Sequence, residues 1–254
     1  MELAIFQSAG GGLTSDARLA MLDAAIEGQS LDLVLCPELF MSGYNIGGTF
    51  RDLAEPADAA FSTKMAALAL RHNTAIAYGY PEASGDLIYN AVQLIDAHGV
   101  RRANHRKQVP APHSFEEGIF APGDQTTWID MGGLRIGLII CYEVELPECL
   151  RLAAKAGVDL MLAPTALGVD WSVIAEKMVP TRALENGMWL AYANHAGSEN
   201  GQVYLGGSRI VAPNGHEVAV AGSDQTLIRA SIDKAEVARM RARLPYLRDA
   251  PRIV

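Results

Sequence analysis

Two periodicities of hydrophobic residues alternate along the first third of the chain. Short apolar runs have the length and composition of buried strands, and the segments between them place apolar residues at helical spacing. Thr14 or Ser15 is positioned to cap the first of these helices. The elements predicted here are, in order, the strand Glu2–Gln7, the helix Asp16–Glu27, the strand Leu31–Cys36, the helix Ala59–Arg71 and the strand Thr74–Tyr80. Their alternation indicates a sheet covered by helices.

The rest of the chain pairs strands around short turns and then returns to the alternation. Between two such pairs, Gln108–Gln125 is rich in proline, glycine and charge, which predicts a long loop of the kind that often carries function. The further strands predicted are Ile88–Asp96, Val100–Arg106, Trp128–Asp130, Leu134–Cys141, Asp159–Ala163, Trp189–Asn194, Val203–Val211, Glu217–Val220 and Leu227–Ile232. The further helices are Pro147–Lys155, Val173–Glu185 and Asp233–Arg241, the last one capped by Asp233.

About a dozen strands with only four or five helices do not fit a single doubly wound sheet. Two sheets packed face to face, with helices on the outside, accommodate this ratio better. No internal repeat, low-complexity tract or linker interrupts the pattern. We therefore expect an α/β fold and a single domain over residues 1–254.

Charge and cysteine usage narrow the possible partners. The 254 residues include 21 Lys and Arg against 29 Asp and Glu, a net charge of −8, whereas a nucleic-acid-binding protein needs a basic surface. No apolar stretch approaches the ~18 residues of a membrane span, and the start of the chain lacks a basic signal region, so we expect no membrane association. Cys36, Cys141 and Cys149 form no CxxC pair, which favours a reducing compartment and a cytoplasmic protein.

Cys141 is a candidate nucleophile because of its position. It ends the apolar run Ile136–Ile140, and a turn and then a helix follow it. Such a turn exposes the thiol at the edge of the sheet, where nearby backbone amides can receive an oxyanion. The alternative is a buried structural cysteine, which is the commoner role of a free thiol.

Two charged residues occupy positions like that of Cys141. Glu38 follows the apolar run Leu33–Pro37, and Lys107 follows the strand Val100–Arg106. If the three strand ends converge, a carboxylate, an ammonium and a thiol share one cleft. A surface position for each charge remains the alternative.

Histidines and glycines offer weaker candidates. His195 follows a strand end and is a possible base for a thiol, and His105 and His113 flank Lys107 without a third metal ligand at a recognisable spacing. The segments Ala9–Gly12 and Gly206–Ser208 lack the further residues of a phosphate-binding loop, so both are interpreted as turns.

Four blocks of sequence, in order, resemble the successive motifs of the nitrilase superfamily of carbon–nitrogen hydrolases, and most closely its amidase branch. The blocks are Pro37–Tyr44, Arg106–Lys107, Glu116–Asp124 and Cys141–Glu148, and the similarity extends to Ala163–Thr165 and Arg182–Asn186. The resemblance implies a four-layer α-β-β-α sandwich. It also implies assembly into a homodimer or a larger homo-oligomer, usually through the helices that flank the nucleophile.

The resemblance also assigns site residues. The Glu–Lys–Cys triad of the family falls on Glu38, Lys107 and Cys141, and its second glutamate falls on Glu116, with Glu117 as the other possible register. The residues expected at the oxyanion and the substrate are Tyr142, Tyr44, Glu145 and Thr165. Where the family commonly has aspartate and often arginine, this chain has Glu143 and Glu145.

The implied reaction is hydrolysis of a small carboxamide to the carboxylic acid and ammonia through a cysteine thioester. The triad implies neither a metal nor an organic cofactor, and the expected partner is a small amide substrate. The open alternatives are a nitrilase or an N-carbamoyl amide hydrolase with the same triad, or a non-catalytic binding protein that retains the fold.

Overall fold

Two six-stranded β-sheets pack face to face between layers of helices in the computed structural model, which describes residues 1–253. The strands are β1 (Glu2–Gln7), β2 (Leu33–Leu35), β3 (Ala75–Ser84), β4 (Leu87–Ile95), β5 (Arg101–Arg106), β6 (Thr127–Met131), β7 (Leu134–Leu138), β8 (Leu160–Pro164), β9 (Trp189–Ala193), β10 (Ser198–Glu199), β11 (Gln202–Val203), β12 (Arg209–Val211), β13 (Glu217–Val220) and β14 (Thr226–Ser231). The helices are α1 (Ser15–Ile26), α2 (Phe50–Leu53), α3 (Ala60–His72), α4 (Glu116–Ile119), α5 (Pro147–Lys155), α6 (Val179–Asn186), α7 (Lys234–Arg243) and α8 (Tyr246–Asp249).

The topology brings several strand ends to one edge of the sandwich. The first sheet has the order β14-β1-β2-β3-β4-β5, with β1, β2 and β3 parallel. Because β4 is antiparallel to both β3 and β5, β5 ends at the same edge as β2. The second sheet has the order β13-β12-β9-β8-β7-β6, with β7, β8 and β9 parallel.

Alternation along the strands builds separate hydrophobic layers. In β1, Leu3 and Ile5 face the second sheet, whereas Ala4 and Phe6 face α1 and α3. The outer face of the second sheet packs in the same way against α5 and α6. Side chains of successive strand residues point to opposite faces, so strands that are apolar throughout can bury both faces at once. The four-layer α-β-β-α sandwich is therefore confirmed.

Local signals are confirmed at several helix ends. The Thr14 hydroxyl accepts a hydrogen bond from the backbone N–H of Ala17, and Asp233 caps α7 through the N–H of Ala235. The helix predicted from Pro147 to Lys155 has those bounds in the structure. None of the helices within residues 1–253 combines the length and the hydropathy needed to cross a bilayer.

Other element predictions are wrong in part. The strand predicted over Val203–Val211 is broken into β11 and β12, because Gly206 and Gly207 adopt left-handed φ values of 66° and 60°. The long loop after Lys107 contains the single-turn helix α4. The helix predicted from Val173 begins with a π-helical turn over Ile174–Met178, which continues into α6.

Candidate active site

Glu38 reaches the site because the chain after β2 crosses β3 at a glycine. A β-carbon on Gly79 would lie 2.3 Å from the backbone nitrogen of Leu39 and 2.6 Å from the carbonyl oxygen of Pro37. The segment is fixed there by hydrogen bonds from the Gly79 N–H to Pro37 O (3.2 Å) and from the Met41 N–H to Gly79 O (3.0 Å). Leu39 has a φ of 48°, so the chain turns sharply just after the carboxylate.

The Glu38 carboxylate is fully buried, and its two oxygens differ in their hydrogen bonds. Its Oε1 accepts hydrogen bonds from Lys107 Nζ at 2.8 Å and from Asn90 Nδ2 at 2.7 Å. Its Oε2 has no hydrogen-bond partner among the described residues. One oxygen is therefore anchored while the other is available to a proton donor.

Lys107 lies between two carboxylates. Its Nζ is 2.8 Å from both Glu38 and Glu116, and all three side chains are at most 2% exposed. Glu116 is the first residue of α4, and its position is fixed by the Tyr44 hydroxyl at 2.6 Å and by the Ala111 N–H at 3.3 Å. The neighbouring Glu117 is exposed, so Glu116 is the glutamate that contacts the ammonium.

Cys141 occupies a strained turn three residues beyond the end of β7. Its φ is 48°, a left-handed value that is uncommon for a residue with a side chain, and it begins a 3₁₀ turn over Cys141–Val144. The Thr165 hydroxyl, at the end of β8, donates a hydrogen bond to Sγ at 3.0 Å, and the Tyr192 hydroxyl lies 3.0 Å from the same threonine oxygen.

Burial and neighbouring charge shift the pKa values of these groups. Burial, reinforced by Glu116 and opposed by Lys107, raises the pKa of Glu38 from 4.5 to about 7. Burial and the nearby Glu38 raise the pKa of the Cys141 thiol well above its usual value. Burial alone would lower the pKa of Lys107, but Glu38 and Glu116 outweigh it and raise that pKa. The site therefore holds a neutral thiol, a base that titrates near neutrality and a permanent ammonium.

Glu143, which stands where the family commonly has aspartate, connects the segments around Lys107 and Cys141 by hydrogen bonds. One carboxylate oxygen accepts the N–H of Ile140 (2.6 Å), just before the nucleophile, and the other accepts the N–H of Gln108 (2.8 Å), just after Lys107. The buried His105 Nε2 lies 3.0 Å from Glu143. This single side chain therefore ties the strand end of the ammonium to that of the thiol.

The remaining residues considered in the sequence differ in how they lie relative to Cys141. Tyr142 directly follows the nucleophile, and Glu145 is half-buried one turn later, with its pKa raised by burial and lowered in part by Lys107 and Arg182. Arg182 does not face a substrate: it donates to the backbone carbonyls of Val144 (3.0 Å) and Glu145 (2.6 Å). His113 is exposed.

His195 differs from the base considered in the sequence. It is fully buried, and its Nε2 lies 2.7 Å from the backbone carbonyl oxygen of Glu38. Because a carbonyl only accepts, Nε2 carries the proton, which leaves Nδ1 to accept from the Ser8 hydroxyl at 3.4 Å. Burial and the nearby Arg18 lower the pKa of His195 to about 4, so the imidazole stays neutral and supports the Glu38 backbone.

The thiol lies at the sharp turn after the interior strand β7, beside a carboxylate and an ammonium, in an α-β-β-α sandwich. This fold and this site are those of the nitrilase superfamily of hydrolases. The sequence profile of the carbon–nitrogen hydrolase family matches residues 12–242, and the chain belongs to this family.

Individual relatives support this membership. A hydrolase in the pqqF 5′ region of Pseudomonas protegens is 40% identical to this chain, over 98% of this chain and 88% of the relative. The NitN amidase of Nesterenkonia sp. AN1 superposes with a TM-score of 0.87 at 32% identity, over 98% of this chain and 96% of that chain. A glutamate-to-glutamine variant of the Nesterenkonia amidase carries the acetamide moiety of fluoroacetamide on its active-site cysteine (TM-score 0.87, 31% identity, 98% and 93% covered).

Proposed function

We propose that this chain is an amidase that hydrolyses a small carboxamide to the carboxylic acid and ammonia through a thioester on Cys141. The observation that carries the proposal is the pairing of a buried thiol with a buried carboxylate whose Oε2 has no partner among the described residues. Membership of the carbon–nitrogen hydrolase family supports hydrolysis of a C–N bond, and the modified cysteine of the Nesterenkonia amidase supports a cysteine as the nucleophile.

Acylation begins with transfer of the thiol proton to Glu38 as Cys141 Sγ attacks the amide carbonyl carbon. Since the thiol pKa is raised, the thiolate forms only as the base takes the proton, and a carboxylate that titrates near pH 7 suits this transfer. The negative charge on the carbonyl oxygen is stabilised by the Lys107 ammonium and the backbone N–H of Tyr142.

Collapse of the tetrahedral intermediate breaks the C–N bond. Glu38 returns the proton to the departing nitrogen, and ammonia leaves a thioester on Cys141. In the second half of the reaction, Glu38 takes a proton from a water molecule as the water oxygen attacks the thioester carbon. The C–S bond then breaks, the carboxylic acid leaves, and Glu38 returns the proton to the sulfur. Lys107 remains charged throughout because Glu38 and Glu116 both stabilise its ammonium.

Glu116, Tyr44 and Thr165 assist these steps without exchanging protons with substrate. Glu116 orients Lys107 and provides a carboxylate for the substrate amide, and the Tyr44 hydroxyl holds Glu116 in place. Thr165 orients Sγ by its hydrogen bond, which also favours the developing thiolate.

Ammonia release from a panel of small aliphatic and aromatic amides tests the proposal, with nitriles and N-carbamoyl compounds as competing substrates. We expect ammonia from amides, loss of this activity after iodoacetamide treatment, and a hydroxamate when hydroxylamine intercepts the thioester. Cys141→Ala is the negative control. Turnover of nitriles or carbamoyl compounds alone would overturn the amidase assignment, and failure of all three classes would favour a binding protein.

We also propose that the chain pairs with a second copy in the cytoplasm through the helices that flank the nucleophile. Leu152 on α5 is an apolar side chain that remains 48% exposed. Light scattering coupled to gel filtration tests the pairing: we expect a dimer for the wild type and a weakened dimer for Leu152→Glu. A wild-type monomer would overturn it.

A further inference from the structure

We propose that Glu199 is a positioning residue for the active site, and that it acts by holding the backbone of the loop that carries Tyr44. The expected kinetic effects rest on the proposed amidase function, whereas the positioning of the Tyr44 loop rests on the hydrogen bonds that Glu199 accepts. Glu199 lies at the end of β10, outside the two large sheets and outside every block of the family resemblance.

The Glu199 carboxylate is buried and accepts hydrogen bonds from four separate segments. Its Oε2 accepts the backbone N–H groups of Tyr44 (2.9 Å) and Asn45 (2.7 Å) and the Tyr204 hydroxyl (2.7 Å). Its Oε1 accepts the Gly11 N–H (3.2 Å) and Arg18 Nη2 (3.3 Å). Five donors on one carboxylate require a full negative charge with all its lone pairs in use.

Arg18 provides the buried counter-charge. Its side chain is fully buried in α1, where it bonds Glu199 and the carbonyl oxygen of Ala9 at 3.2 Å. A buried guanidinium needs a charged partner, and Glu199 provides it for Arg18. Gly43 makes room for the pair, since a β-carbon there would lie 2.2 Å from Glu199 Oε1 and 2.9 Å from Arg18 Nη2.

The glycine segment near the N-terminus belongs to the same assembly. A β-carbon on Gly10 would lie 2.7 Å from the Tyr204 ring, and one on Gly11 would lie 2.4 Å from the carbonyl oxygen of Ser198. The glycines that resemble a weak phosphate loop in the sequence therefore allow close packing against β10. Their role is to bring the Gly11 N–H to Glu199.

From Glu199 a continuous set of contacts reaches the catalytic ammonium. The carboxylate fixes the backbone of Tyr44, the Tyr44 hydroxyl bonds Glu116 at 2.6 Å, and Glu116 bonds Lys107 at 2.8 Å. The Tyr44 ring also packs 5.0 Å from the ring of Phe115, the residue that precedes α4. Displacement of the Tyr44 loop would therefore move the groups that hold the substrate amide and Lys107.

Replacement of the carboxylate by an amide tests this arrangement. In Glu199→Gln the side-chain NH₂ replaces an acceptor oxygen, so it faces N–H donors and leaves Arg18 without a charged partner. We expect kcat/KM for a small amide to fall by ~10²-fold, the cost of misplacing groups around a bound substrate by about 1 Å. Tyr204→Phe, which removes one donor and keeps the carboxylate, should lose less and should remain folded.

A double-mutant cycle distinguishes positioning through Tyr44 from general destabilisation. If Glu199 acts through the Tyr44 hydroxyl, Glu199→Gln should lower kcat/KM much less in a Tyr44→Phe background than in the wild type. Equal losses in the two backgrounds would overturn the proposal. Asp96→Asn is the matched control, since Asp96 also accepts hydrogen bonds from two backbone N–H groups and one arginine but lies directly after β4 and bonds neither Tyr44 nor Asn45.

Hydrogen exchange tests the structural part without using activity. We expect the amides of Tyr44 and Asn45 to exchange at least ~10-fold faster in Glu199→Gln than in wild type, and at the wild-type rate in Asp96→Asn. Unchanged protection of this loop in folded Glu199→Gln would overturn the proposal. Should the wild type cleave no amide, the proposed function fails, while the exchange measurement still decides the role of Glu199.

Discussion

Lys107 Nζ and Glu38 Oε1 are joined by a 2.8 Å hydrogen bond that engages only one oxygen of the carboxylate. Asn90 bonds the same oxygen, and Oε2 has no partner among the described residues. A buried polar atom without a partner costs on the order of 1–3 kcal/mol, so such an atom calls for a functional explanation. In the reaction proposed above, Oε2 is the atom that takes the proton of Cys141.

Cys141→Ala should abolish amide turnover and leave the fold intact, because the change from a thiol to a hydrogen at a buried position is small. Cys36→Ala and Cys149→Ala are the matched controls and should keep most of the activity. Steady-state ammonia release and thermal unfolding are the measurements. Wild-type turnover by folded Cys141→Ala would mean that another group is the nucleophile.

Glu38→Gln and Lys107→Met should each lower kcat by orders of magnitude. General acid–base catalysis is typically worth ~10²–10⁴-fold and one oxyanion donor ~10²–10³-fold. Because the two groups touch and act on the same intermediate, the losses should not multiply in the double variant. A double variant whose loss equals the product of the single losses would show that the groups act independently.

The activity of the wild type should rise with pH through about 7, the pKa to which burial raises Glu38. Below this pH the carboxyl is protonated and cannot accept the thiol proton, so kcat/KM should fall about tenfold per pH unit. A neutral amide assayed between about pH 5 and pH 9 makes the measurement. A flat profile across that range would contradict the assignment of Glu38 as the base.

Stability should change with pH in the opposite direction. A carboxyl whose pKa is raised on folding, here from 4.5 to about 7, stabilises the fold fully below its unfolded pKa and loses that contribution as pH rises through its folded pKa. The free energy of unfolding of the wild type should therefore fall between these two pH values, relative to that of Glu38→Gln, which does not ionise. Denaturant titrations of both proteins across that interval test the difference, and parallel curves would refute it.

The negative charge of Glu145 should disfavour substrates that carry a carboxylate. Its half-buried carboxyl is close enough to Lys107 for that charge to lower its pKa, and the guanidinium of Arg182 is bonded to the backbone carbonyls of Val144 and Glu145. We expect higher kcat/KM for a neutral aliphatic amide than for a carboxylate-bearing amide of similar length, and a smaller preference in Glu145→Arg. A wild type that prefers the carboxylate-bearing amide would show that another cation binds the substrate.

The ratio of strands to helices predicts two sheets packed face to face, and the family resemblance places Glu38, Lys107 and Cys141 in one triad, whereas the strand pattern alone leaves open whether their strand ends converge. Glu38 and Cys141 follow apolar runs, whereas Lys107 follows a largely polar strand, and the topology brings the ends of β2 and β5 to one edge of the first sheet. The broken strand around Gly206 was missed because a glycine pair inside an apolar run does not reveal whether the chain continues or turns.

Other parts of the site depend on contacts between residues far apart in the chain. Asn90 lies inside a strand, and the alternation gives no reason to expect its amide at Glu38. His195 stands at a strand end like a candidate base, yet its imidazole bonds a backbone carbonyl. Glu199 is 155 residues from the Tyr44 it holds, and no local pattern marks that pairing.

The groups to which we assign the proposed reaction are divided between the two sheets. Glu38 and Lys107 follow strands of the first sheet, whereas Cys141 and Thr165 follow strands of the second, and the apolar layer between the sheets sets the separation of base and thiol. A partly unfolded state that kept both sheets but let them slide apart would retain its far-UV circular dichroism and lose its turnover. Enzyme activity measured in denaturant should therefore report whether the two sheets remain packed together. Spectroscopic measurements of strand content would not detect their separation.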